Sequence, residues 1–183
     1  PDFNLTVEAR LKKAGISTIH YVSPSVWAWR EGRIKGIKKA VDHVLCLLPF
    51  EKDFYDKHGL PATFVGHPLA DDIPMQWQQG PARKELKLEP ESEYLAILPG
   101  SRKGEIARMA PVFLRVAKKI AEKYPNLRFV APMISDARAE QFQELIKQYS
   151  PELTIALPVG ESRKVMAASN YLLLTSGTVA LII

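Results

Sequence analysis

An α/β fold is predicted for this chain, built from parallel βαβ units that make up parts of two domains. Three observations carry the prediction. Short aliphatic and β-branched runs alternate with segments of helical period along most of the sequence. Two of those runs end in small glycine-bearing turns that open into helical segments, Gly100-Ser101-Arg102 and Ser176-Gly177-Thr178. The alternation breaks once, in a stretch from His67 to Pro90 that holds Pro68, Pro74, Pro81 and Pro90 and the cluster Gln76, Gln78 and Gln79.

In chain order, Leu5–Ala14 has helical period and is followed by Gly15, a good C-terminal cap. Thr18–Val22 reads as a strand. Arg30–Val41 puts Ile34, Ile37 and Val41 on one helical stripe. Val44–Leu48 reads as a strand, Phe50–Lys57 as a helix closed by His58-Gly59, and Thr63–Val65 as a strand. The proline-rich stretch then reads as an interdomain connection, which divides the chain into residues 1–66 and 67–183. Beyond it lies the strand Tyr94–Leu98. Lys103–Lys123 carries apolar residues at 106, 109, 110, 113, 116, 117, 120 and 121, the spacing of an amphipathic helix. Pro111 inside it predicts a kink or a restart near Arg108. The strands Arg128–Ala131, Thr154–Leu157 and Tyr171–Leu174 alternate with the helices Asp136–Tyr149 and Glu161–Ala168. Strands that alternate with helices imply a parallel sheet with right-handed crossovers.

Composition narrows the function. The 183 residues have a hydrophobic fraction of 46% and a charged fraction of 25%, ordinary for a globular protein. The net charge of +5 suits an anionic ligand or membrane surface and does not by itself indicate nucleic acid. Cys46 is the single cysteine, so no disulfide framework forms within the chain; flanked by Val44, Leu45, Leu47 and Leu48, it reads as a small buried hydrophobe. No stretch approaches the roughly 18 apolar residues of a membrane span. The sequence starts at Pro1-Asp2-Phe3 and stops within the apolar run Val179–Ile183, and is expected to be a fragment of a longer protein.

Several groups are candidates for chemistry. Ser23-Pro24-Ser25-Val26-Trp27-Ala28-Trp29-Arg30 sets two tryptophans and an arginine at a strand end, where α/β folds place ligand contacts; the bland alternative is a loop folded onto its own core. Gly100-Ser101-Arg102 follows a strand and precedes a helix. Its backbone N–H groups, the Ser101 hydroxyl and the Arg102 fork would suit a diphosphate; an ordinary capped turn is the alternative. Ser176, Gly177 and Thr178 repeat the pattern, and two such turns at the carboxyl ends of parallel strands face one crevice. Glu105 reads as a first-turn acid that complements the helix dipole. His67 sits at a strand end, as a site residue or a structural one. His20, His43 and His58 lack metal-ligand spacing. Arg30, Arg33, Lys35, Lys38 and Lys39 form a basic stretch, read either as a solvated helix face or as an anion-favouring surface.

Asp2-Phe3-Asn4-Leu5, Tyr21 to Arg30, Leu48-Pro49-Phe50-Glu51, Gly66-His67, Leu98-Pro99-Gly100-Ser101-Arg102 and Ser176-Gly177-Thr178 occur in this order. Together they closely resemble the lipid-A-disaccharide synthases, inverting glycosyltransferases of Gram-negative bacteria, over nearly the whole chain. The resemblance implies a GT-B fold of two Rossmann-like domains facing across a cleft. Residues 1–66 would end the acceptor-side domain, and 67–183 would begin the nucleotide-sugar domain. It implies transfer from UDP-2,3-diacylglucosamine to 2,3-diacylglucosamine 1-phosphate, with no cofactor, no metal and no nucleic-acid partner. It also implies peripheral contact with the cytoplasmic face of the inner membrane. Gly100, Ser101 and Arg102 would hold the UDP diphosphate, and Arg102 would stabilise the leaving group. Ser176, Gly177 and Thr178 would line the same pocket, and Ser23, Trp27, Trp29, Arg30 and His67 would contact substrate.

Two departures from the family pattern stand out. The family's expected base, an aspartate, falls upstream of Pro1, and Ile182 stands where the family usually has a glutamate that contacts the ribose. Another GT-B UDP-sugar enzyme such as an epimerase, or a non-catalytic nucleotide-sugar or membrane-docking module, are the competing readings. With the base outside it, the chain expressed alone is expected to give no detectable disaccharide from the two substrates. Measurable product in that assay would show that the base has been misplaced.

Overall fold

The structure is a computed structural model that describes residues 2–72 and 78–175. It divides into two compact units, Pro1–Ile73 and Pro74–Ile183. Both are α/β, and every strand pairing among the described residues is parallel.

The first unit runs α1 (Asp2–Lys13), β1 (Ile19–Tyr21), α2 (Val26–Trp29), a 3-10 turn (Glu31–Arg33), α3 (Ile34–Ala40), β2 (His43–Cys46), α4 (Pro49–Lys57), β3 (Ala62–Phe64) and α5 (Pro68–Asp72). Its sheet has the order β1-β2-β3. Val26, Ile34, Ile37, Val41, Val44, Cys46, Tyr55 and Leu60 form its core. Burial pushes the Cys46 thiol up to about 11, which keeps it protonated and inert.

The second unit runs α6 (Gln79–Glu85), β4 (Tyr94–Leu98), α7 (Lys103–Lys123), β5 (Arg128–Val130), α8 (Asp136–Tyr149), β6 (Ile155–Ala156), α9 (Ser162–Ala168) and β7 (Tyr171–Leu174). The sheet order is β6-β5-β4-β7. All of β4 is buried. Its side chains alternate between two cores: Leu95 and Ile97 join the cluster under α7 and α8, while Tyr94, Ala96 and Leu98 join the cluster with Val165 of α9. This is why β4 reads as a continuous apolar run, the mark of a strand covered on both faces.

Three expectations are corrected. Lys103–Lys123 is one uninterrupted helix that contains Pro111, with no restart near Arg108. Proline removes one N–H bond, to the carbonyl of Ala107, a residue on the exposed face. Ile106, Ala110, Phe113, Leu114 and Ala117 stay buried along the opposite stripe and hold the helix together. The Trp27 loop contains a helical turn, α2, anchored by the buried Val26. The stretch from His67 to Pro90 is not merely a connection, since α5 belongs to the first unit and α6 packs into the second.

The anchor of α6 is Arg83, only 7% exposed. Its guanidinium donates to the carbonyl of Ala168 (3.0 Å), to the carbonyl of Pro90 and to Oδ1 of Asn170 (2.8 Å). Asn170 Oδ1 also accepts the N–H of Tyr94 at 2.9 Å. A buried cation is stable only when its donors are met, and here carbonyl oxygens meet them. Arg83→Ala leaves these acceptors unpaired and is expected to destabilise the second unit by about 2–4 kcal/mol. Urea unfolding followed by circular dichroism reads this directly; a loss under about 0.5 kcal/mol, the range of ordinary surface changes, would show that α6 is not tied down by Arg83.

Candidate functional site

In the second unit the chain goes from β4 to β5 and β6 on one side, then returns to place β7 on the other flank of β4. The reversal lies between β4 and β7, and open α/β sheets bind ligands outside the carboxyl ends of the strands at such a point. A cavity of about 740 Å³ opens there. Each of the four strands supplies part of its wall through the residues that follow it: Gly100 to Arg102 after β4, Pro132 to Ile134 after β5, Gly160 after β6 and Thr175 after β7. The first two turns of α7 add Glu105, Arg108 and Met109.

The turn after β4 is built around Glu105. The N–H groups of Ser101 and Arg102 both donate to its Oε2 at 3.1 Å. The Arg102 guanidinium donates to its Oε1 at 2.7 Å. The N–H groups of Arg102 and then Ser101 hold the Glu105 carboxyl below the ordinary carboxylate range. The sequence left those donors to a ligand or to an ordinary capped turn; in the structure the chain's own carboxylate accepts them. Glu105 thus does more than complement a helix dipole, because it closes the turn that the ligand would use.

Gly100 makes this closure possible. Its φ is +110°, a conformation that side chains disfavour. A Cβ at this position would lie 2.7 Å from Cβ and 2.8 Å from Oε2 of Glu105. Ser101 and Arg102 are exposed to the crevice. Ser176, Gly177 and Thr178 lie outside the described residues. The N–H of Thr175 donates to the carbonyl of Leu98 at 3.2 Å, so the chain leading to them leaves β7 beside the turn of Gly100. Arg108 was missed in the sequence, where it reads as one more charge on a solvated helix face. Only its place six residues after Arg102 on a helix that starts in the crevice could have marked it.

The other candidates lie in the first unit. Ser23 is buried, with its hydroxyl 3.0 Å from the Tyr55 hydroxyl and donating to the carbonyl of Pro24. Just before it, Val22 adopts φ +72°, rare for a β-branched residue and a mark of local strain. Trp27 packs edge-on against Phe50 at 4.7 Å and donates from Nε1 to the buried Glu51 at 3.0 Å. Trp29 is 70% exposed, and the Arg30 guanidinium stacks over its ring at 4.2 Å. His67 accepts the N–H of Leu69 at Nδ1, which caps the start of α5. The Ser-Pro-Ser run is therefore partly core and partly surface: Ser23 and Val26 are inside, Trp29 and Arg30 outside.

A protein-family model described as lipid-A-disaccharide synthetase matches residues 1–183. The lipid-A-disaccharide synthase of Idiomarina loihiensis is 88% identical over 99% of this chain and 48% of that protein. The enzyme of the same name from Colwellia psychrerythraea is 55% identical over 99% of the chain and 46% of that protein. The chain thus spans about half the length of the curated relatives it matches. Among solved structures, an S. aureus MnaA–UDP co-structure superposes with a TM-score of 0.59 at 9% identity, over 96% of this chain and 58% of that one. At that identity the likeness concerns the fold alone.

Replacing Gly100 tests the turn. Gly100→Ala adds both a strained φ and a collision with Glu105, at an expected cost of about 1–3 kcal/mol in stability. Thermal melts of the two proteins give the difference. Equal melting temperatures would mean that the turn is not held closed on Glu105.

Proposed function

This chain belongs to the lipid-A-disaccharide synthetase family, and we propose that it serves a glycosyltransferase that joins UDP-2,3-diacylglucosamine to 2,3-diacylglucosamine 1-phosphate. The products are UDP and lipid A disaccharide 1-phosphate. The observation that carries the reading is the crevice at the reversal between β4 and β7, with Gly100, Ser101 and Arg102 at its mouth. In this reading the second unit holds the nucleotide sugar and the first unit serves the acceptor.

In the inverting step the acceptor hydroxyl attacks the anomeric carbon, the bond to the diphosphate oxygen breaks, and negative charge grows on the departing UDP. The hydroxyl proton passes to a base; the reading assigns none among the residues of this chain. Arg102 meets the developing charge without a metal ion. A guanidinium has five N–H donors, so Arg102 keeps one edge on Glu105 and offers the other to phosphate. The N–H groups at the start of α7, with Ser176, Gly177 and Thr178, complete the cradle. Preorganised donors of this kind act where charge develops and need little reorganisation.

On the acceptor side Trp29 and Arg30, whose exposed ring and guanidinium suit the sugar or acyl chains, act with Trp27 of the same run and with His67 after β3. Ser23 holds the run in place through Tyr55. No helix among the described residues is long and apolar enough to cross a membrane. Substrates with acyl chains would be met at the cytoplasmic face of the inner membrane, where the basic stretch from Arg30 to Lys39 favours anionic lipid.

The test is Arg102→Ala in a protein of the full family length. The expected loss is about 2–4 kcal/mol in transition-state stabilisation, the scale of one such donor, read as a fall in kcat/KM for disaccharide formation. Unchanged turnover would remove Arg102 from the mechanism.

A further inference from the structure

Three charged side chains line the crevice among the described residues: Arg102, Glu105 and Arg108. Two of them are paired with each other. Glu105 takes the Arg102 guanidinium at 2.7 Å and both N–H groups of the turn, so the formal charges of that pair cancel. Arg108 stands apart. It lies three residues after Glu105 on α7, and no carboxylate among the described residues lies within ion-pair distance of it. Among the described charged side chains that line the crevice, Arg108 is therefore the cation without a carboxylate partner.

Its place on the helix puts it on the wall of the crevice. Side chains on an α-helix lean toward the N-terminus, over the turn before their own. For Arg108 that turn holds Gly104, four residues earlier on the same face. An atom added at Gly104 would meet nothing within 4 Å, and glycine itself puts no side chain in the path. The surface between Arg108 and the start of α7 is open.

We propose that Arg108 is a second phosphate-binding residue of this crevice, the one that first attracts and then holds the diphosphate of a nucleoside diphosphate ligand while Arg102 is still paired with Glu105. The inference rests on the nucleotide-sugar reading given above. It divides the work between two arginines six residues apart. Arg108 supplies the uncompensated charge felt at a distance, and Arg102 supplies the directed contact at the turn. Attraction by an unpaired, exposed cation is screened by salt, whereas a short directed hydrogen bond is much less so.

Titration calorimetry of a protein of the full family length with UDP, at low and at high salt, tests this. Wild type, Arg108→Ala and Arg108→Lys are compared, with uridine as the phosphate-free control. Arg108→Ala is expected to weaken UDP binding by about tenfold or more at low salt and to flatten its salt dependence, with uridine binding unchanged. Arg108→Lys keeps the charge and is expected to retain the salt dependence while recovering only part of the affinity. Arg108 is exposed, so matching circular dichroism and melting curves should accompany both variants. UDP bound by Arg108→Ala with wild-type affinity and salt dependence would overturn the inference and leave the nucleotide-sugar reading standing. Wild type that fails to bind UDP would overturn both.

Discussion

The site depends on β4 being paired along both edges and buried on both faces. Parallel pairing with β5 and β7 fixes where the strand ends, and the two cores against its faces fix its height and tilt. Leu98 to Arg102 therefore emerge at one defined point. Because the chain reverses direction in the sheet between β4 and β7, the loops on either side diverge and leave a crevice there. A one-residue slip of β4 would exchange its two faces, sending Tyr94, Ala96 and Leu98 into the wrong core and moving Gly100 off the turn.

The donors of the turn formed in this way are held by the chain's own Glu105. Glu105 meets two N–H groups and a guanidinium that would otherwise face the crevice unpaired. Any anion that uses those donors must compete with a carboxylate tethered to the same helix. Binding then reflects a difference between two sets of hydrogen bonds rather than the sum of one set. This favours ligands with more negative charge and more acceptor oxygens than a carboxylate, as a diphosphate has. It also gives Gly100 a second purpose: the missing Cβ leaves room for the carboxylate as well as for the strained backbone.

Much of this was legible in the sequence, for physical reasons. The seven strands among the described residues were read from aliphatic and β-branched runs, and the long amphipathic period of α7 was plain because it repeats over many turns. Gly100 and Arg102 stood out because glycine at a strand-to-helix turn carries conformational meaning. What was hidden depended on pairing at a distance. Arg83 reads as one charge in a polar segment, and only the fold shows it buried against Ala168, Pro90 and Asn170. The prolines around α5 and α6 suggested a linker because proline at a helix start and proline in a loop look alike in a single sequence. Pro111 suggested a break because the packing that overrides it comes from β4, β5 and α8. Arg108 and the closure of the turn by Glu105 depend on which side chains share a crevice, and residue type does not reveal that.

The central claim is that the donors at the start of α7 receive the diphosphate of a nucleotide sugar. A crystal structure of the protein with UDP bound tests it most directly. The account predicts phosphate oxygens within hydrogen-bonding distance of the Gly100–Arg102 turn and of the Arg102 guanidinium. UDP seated elsewhere on the molecule, with that turn still closed on Glu105 and untouched by phosphate, would contradict it.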